Sequence, residues 1–160
     1  MKKTAIGLAF LLAFTVSNTT LVQAKETGPL QINMKSYAIS SNAEGKEVAT
    51  ETTEVDPKQV LEFRAIYKNT GSAALNDLVV TGPIPSATQY QANTAIAPVD
   101  ATFEVSVDGG KTYESEPVTR TVKGKKVIIP ASQYTHVRWI PNVSLAANSE
   151  QVYSYRVQVK

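Results

Sequence analysis

Cysteine is absent from this 160-residue chain, which excludes disulfides, a lipid-anchored cysteine and thiolate metal sites. Histidine is reduced to a single residue, His136. A Ser-His-Asp arrangement would have to use it, and a zinc site would have to crowd several carboxylates around it. No Gly-x-Ser-x-Gly segment supplies a nucleophile elbow. Helical periodicity is nearly missing as well. Past the first 24 residues no stretch keeps apolar residues at helical spacing without β-branched runs or breakers. One long hydrophobic run occurs, Ala5–Val16, too short for a bilayer span of roughly 20 residues.

That run sits in the setting of an export signal. Lys2 and Lys3 precede it, and Val22-Gln23-Ala24 follows with residues suited to the −3 and −1 positions of a signal peptidase site. Residues 1–24 are therefore expected to be a cleaved secretory signal peptide, and 25–160 a single exported domain, periplasmic or extracellular, with no stable membrane anchor. Removing 24 of 160 residues leaves 136, enough for one apolar core without disulfides. The formal charge of +2 belongs to Lys2 and Lys3; without them 14 basic residues face 14 acidic ones. A nucleic-acid partner, which needs a basic surplus, is not expected.

The remaining charges are unevenly placed. Lys25–Glu116 holds 7 basic and 13 acidic residues, and Pro117–Lys160 holds 7 basic and 1 acidic. Such a split can build a dipolar surface that steers a charged partner. It can also mean that strands of the two halves interleave and pair their charges. The second arrangement is expected, since cross-strand neighbours commonly carry opposite charge.

Period-2 alternation recurs along the chain between Gly, Pro, Asn and Asp punctuation. In Val60–Lys68, Leu61, Phe63, Ala65 and Tyr67 share one phase, and Asn69-Thr70-Gly71 ends the strand with turn chemistry. Phe103, Val105 and Val107 alternate with polar residues before Asp108-Gly109-Gly110. Tyr153, Tyr155, Val157 and Val159 do so in a closing strand. Further strands are predicted over Leu30–Ile39, Leu75–Thr81, Val118–Val122, Lys126–Ile129 and Thr135–Ile140, with Gly124 at a hairpin tip. Lys25–Pro29 and Ser40–Asp56 read as loose segments. In Leu30–Ile39 the apolar phase breaks between Met34 and Tyr37, which predicts a β-bulge near Lys35-Ser36 or a passage between sheets. About eight short strands make an all-β, two-sheet antiparallel sandwich the economical architecture.

Each candidate site has a structural counterpart. Ser106–Tyr113 is similar to the Asp-box of sialidase-type propellers. Asp108, Gly109 and Gly110 are expected to form a structural turn, since a propeller needs several blades. Alternation places Val137 and Trp139 inward, so His136 and Arg138 face outward. Glu44, Glu47, Glu51, Glu54 and Asp56 could offer oxygen ligands to calcium, but the loop spacing of a calcium site is missing. Lys123, Lys125 and Lys126 could touch phosphate or an anionic polymer, or simply keep a sheet edge soluble. Phe63, Tyr67, Phe103, Trp139, Tyr153 and Tyr155 fall on inward phases and form the expected core. Tyr37, Tyr90, Tyr113 and Tyr134 lie near strand ends and are better placed to meet a ligand.

From Asp56 to Tyr90 the chain resembles a bacterial surface-protein module, the "conserved repeat domain" family, domain of unknown function 11. Phe63 and Tyr67, then Asn69 and Gly71, then Leu78–Val80 and Ile84-Pro85 occupy the places of the family motif. The segments SVDGGKTY, YTHVRW and VYSYRVQV look like those of small exported single-copy members. Gly82 departs from the pattern, standing where these domains often carry Asp, so no role of that acid transfers. The resemblance implies an immunoglobulin-like β-sandwich with no established catalytic site or cofactor.

The expected function is a non-catalytic, exported module of the cell envelope or surface with a structural or partner-binding role, the partner being an envelope or surface protein. A strand edge at Leu30–Ile39 is the expected binding element. The alternative is a module that takes a glycan or divalent cation in loops at one end of the sandwich.

Overall fold

The structure, a computed structural model, describes residues 28–160; the signal-peptide assignment and its cleavage point lie outside the described residues. Among the described residues there are ten strands, all paired antiparallel. β1 (Leu30–Ser41), β2 (Glu47–Glu51), β3 (Val60–Asn69), β5 (Thr88–Tyr90) and β10 (Glu150–Val159) form a sheet of order β2-β1-β3-β10-β5. β4 (Val80–Pro83), β6 (Ala101–Ser106) and β9 (His136–Pro141) form a second, of order β4-β9-β6. β7 (Thr119–Val122) and β8 (Lys125–Ile128) pair only with each other. A short 3₁₀ turn, Ala131–Gln133, precedes β9.

The register shows which side chains share a face. β3 pairs with β10 so that Phe63 opposes Tyr155, Ala65 opposes Tyr153 and Leu61 opposes Val157. These inward positions are met by Trp139 of β9, whose ring centroid lies 5.6 Å from that of Tyr153 and 6.0 Å from that of Tyr155. Phe103 of β6 packs on the other side of the cluster, 5.5 Å from Trp139. Trp139 is 1% exposed, and Tyr67, Val80, Val105, Val137 and Leu145 are buried with it. The five- and three-stranded sheets thus meet through the aromatic residues that alternation placed inward.

Several expectations need correction. No bulge interrupts β1: its register with β3 runs unbroken from Leu30 opposite Asn69 to Ile39 opposite Val60. Leu30, Ile32, Met34 and Ala38 keep the inner phase, while Tyr37 and Ile39 lie on the outer one. Tyr37 is useful there because the Arg64 guanidinium lies 4.1 Å from its ring centroid. Leu30–Ile39 is not a bare edge either, since β2 pairs along Tyr37–Ser41. β2 itself falls in Ser40–Asp56, the segment expected to be loose. Leu75–Thr81 is not one strand: Leu75 makes a single bridge to Leu145, and β4 begins at Val80.

Tyr90 and Tyr134 are also not ligand-facing. Both are buried and stacked, with centroids 5.9 Å apart. The predicted charge interleaving is present: Arg156 pairs with Glu47 and Glu62, Arg120 with Glu114, and Arg138 with Glu104. In each pair the arginine comes from the basic C-terminal segment and the acid from the rest of the chain.

Candidate functional site

The Asp108 loop, the nearest thing to a chemical motif, is spent on its own backbone. Asp108 Oδ1 accepts hydrogen bonds from the Ser106 hydroxyl at 2.7 Å and from Thr112 N–H at 3.0 Å and Lys111 N–H at 3.1 Å. Its Oδ2 accepts from the Thr112 hydroxyl at 2.7 Å. The amide and hydroxyl of Thr112, then the Ser106 hydroxyl and Lys111 amide, hold the carboxyl well below the usual carboxylate range. Gly109 and Gly110 take φ of 80° and 82°, the left-handed region that favours glycine. With both oxygens of Asp108 occupied, the loop acts as a folded turn.

His136 lies beside that turn. Its Nδ1 is 3.2 Å from the Thr135 hydroxyl, which in turn accepts from Gly109 N–H at 3.0 Å. Arg138, the next outward residue on β9, donates through Nε to Glu104 at 2.9 Å and lies over the Tyr113 ring. The acidic stretch is dispersed in the same way. Glu51 accepts from Lys35 Nζ at 2.9 Å and Glu47 from Arg156 Nη1 at 2.9 Å. Among the described residues no three His, Asp or Glu side chains converge as a metal site would require.

Two polar features escape the sequence reading. Glu62, on the outer face of β3, is only 6% exposed. It is held between Arg64 Nε at 2.7 Å and Arg156 Nε at 3.0 Å. With Glu47 on β2 and Tyr37 on β1, these residues make a polar band across four strands. Asn69 is the second: its Nδ2 donates to the carbonyls of Ala73 at 2.8 Å and of Leu145 and Ala146 at 3.1 Å. Its Oδ1 accepts from Gly71 N–H at 2.9 Å. The Asn-x-Gly turn is therefore pinned by a buried amide, not only by turn propensity.

The surface suited to a partner lies where β2 stops. Beyond Tyr37 toward Leu30 no β2 residue accompanies β1, and Ile32 and Met34, on its inner phase, are 49% and 38% exposed. On the same strand end a cleft of about 400 Å³ is lined by Gln31, Ile32, Asn33, Ile66, Lys68 and Glu150. Gln31, Asn33, Ile66 and Lys68 are outer-phase positions, so this cleft lies on the outer face of the strand end whose inner phase carries Ile32 and Met34. No described helix is long and apolar enough to cross a membrane. No family model, no curated protein and no solved structure matches this chain.

Proposed function

We propose that this chain is an exported, non-catalytic module of the cell envelope or surface that works by binding a protein partner. In this reading it is an immunoglobulin-like two-sheet sandwich of the conserved-repeat type. The fold assignment is supported by the meeting of two antiparallel sheets through Trp139, Tyr153 and Tyr155. Export is supported by the Lys2–Ala24 segment. A non-catalytic role is supported by the polar residues themselves: Asp108, Glu104 and Glu62 are each engaged by donors of the fold.

The observation that carries the binding assignment is the N-terminal end of β1. Ile32 and Met34 stand half exposed on the inner phase of a strand end whose outer phase lines a polar cleft, and neighbouring apolar side chains rimmed by polar groups suit an interaction surface. The test is capture from the native envelope with Ile32→Asp and Met34→Asp beside the unaltered chain. Both side chains are about half exposed, so the variants should keep the parent thermal midpoint. Binding lost in the variants supports the assignment, and binding retained at full strength removes it.

A further inference from the structure

The β7–β8 hairpin combines charge and exposed apolar surface in a way the rest of the fold does not need. Among the described residues it is joined to no other strand. Its base is fixed by Val118, which is buried and accepts a hydrogen bond from Ile129 N–H at 2.9 Å. Lys123 and Gly124 take φ of 50° and 75°, the two left-handed residues of a tight hairpin turn. From that base Thr121–Ile128 stands exposed along its whole length.

The register then sorts the side chains. Arg120 opposes Val127 and Val122 opposes Lys125, so these four share one face. Thr119, Thr121, Lys126 and Ile128 share the other. Val122, Val127 and Ile128 are 51%, 43% and 62% exposed. Arg120 is engaged by Glu114, whereas Lys123, Lys125 and Lys126 form no ion pair among the described residues. The hairpin contains no acidic residue.

We infer that this hairpin is a peripheral contact for an anionic lipid surface, separate from the protein-binding end of β1. Lysines alone would serve solubility, and a soluble polyanion would ask only for the lysines. Neither accounts for Val122 and Val127, exposed side by side on the face that also carries Lys125. A bilayer with anionic headgroups accepts both: lysine at the headgroup level and valine or isoleucine at the acyl boundary. Each lysine near such a surface contributes about five-fold in partitioning, so the three together contribute on the order of 100-fold. Contact of this size is reversible and is not an anchor.

The experiment is co-sedimentation with vesicles of equimolar phosphatidylglycerol and phosphatidylcholine, and with phosphatidylcholine alone. It uses the chain beginning at Lys25, which retains all ten strands, and the full chain in parallel. The Lys25 form is expected to bind the anionic vesicles and not the neutral ones. Lys123→Gln/Lys125→Gln/Lys126→Gln should lower partitioning on the order of 100-fold, and Val122→Ser/Val127→Ser about ten-fold. Unchanged thermal midpoints would show that the fold is intact. Loss with the lysine variant and no change with the valine variant would make the site a charge-only contact for a soluble polyanion and overturn the lipid assignment. Equal partitioning of all three proteins would overturn it too.

Discussion

A Cβ atom on Gly82 would lie 2.5 Å from Cε1 of Tyr155. The tyrosine ring occupies the space a side chain would need, and its hydroxyl donates to the Pro83 carbonyl at 2.6 Å. Glycine at this position is thus set by packing: β4 approaches β10 closely enough to exclude any larger residue.

Gly82→Ala should therefore destabilise by about 1–3 kcal/mol through overpacking. Combined with Tyr155→Leu, which vacates the space, the alanine should cost distinctly less than it does alone. Urea unfolding of the two single variants and the double variant measures this coupling. Additive losses would mean that the two positions do not compete for the same space.

Asn69→Ala should cost about 1–3 kcal/mol, because it removes a buried amide whose Nδ2 donates to the Ala73, Leu145 and Ala146 carbonyls; Leu145 keeps the Leu75 N–H and Ala146 keeps Ser149 as donors. Asn69→Asp should also destabilise, since a carboxylate cannot donate to those carbonyls. Denaturant midpoints at neutral pH check both.

The pH dependence has two arms. Asp108 is held below its ordinary value of 3.8, so its contribution is full above that value and is lost as pH falls below it. Glu116, raised by burial from 4.5, acts with the opposite sign. Asp108→Asn should flatten the acid arm and Glu116→Gln should steepen it. On the alkaline side burial pushes Tyr153 from 10.0 up to about 12 and raises Tyr155 as well. Unfolded tyrosine ionises first, so stability is full below pH 10.0 and falls from there toward about 12. Unfolding free energies across both ranges give the slopes, and Tyr155→Phe should shallow the alkaline one.

Trp139→Ala should cost roughly 3–5 kcal/mol by lost transfer energy and cavity formation. The folded parent should emit at blue-shifted wavelength and resist iodide quenching, as its burial requires.

These residues also show which parts of the fold can be read from sequence. β3, β6 and β10 are evident because one face of each is buried and the other polar, so alternation records the burial directly. β2 leaves no such trace: every residue of Glu47–Glu51 is exposed, and its pairing with β1 alone makes it a strand. β5 is three residues long and is held by Val157–Val159 of β10. The phase break in β1 suggested a bulge because Tyr37 and Ile39 were counted as inward residues, when Tyr37 in fact covers Arg64 on the outer face.

Asn69 carried a usable signal, being the fifth residue in the inward series that begins at Leu61, but its turn propensity masked the burial. Of the two partners of Glu62, Arg64 stands two residues on along the same face, whereas Arg156 is 94 residues away and no local pattern encodes that contact. The exposed end of β1 and the separateness of the β7–β8 hairpin are likewise products of topology.

The central claim, binding of an envelope protein at the end of β1, is tested most directly by site-specific photo-cross-linking in native envelopes from Gln31, Lys35 and Lys123. The account predicts one discrete protein adduct from Gln31 and Lys35, and none of that mass from Lys123. A protein adduct formed only from Lys123, or no adduct from any of the three positions, would contradict it.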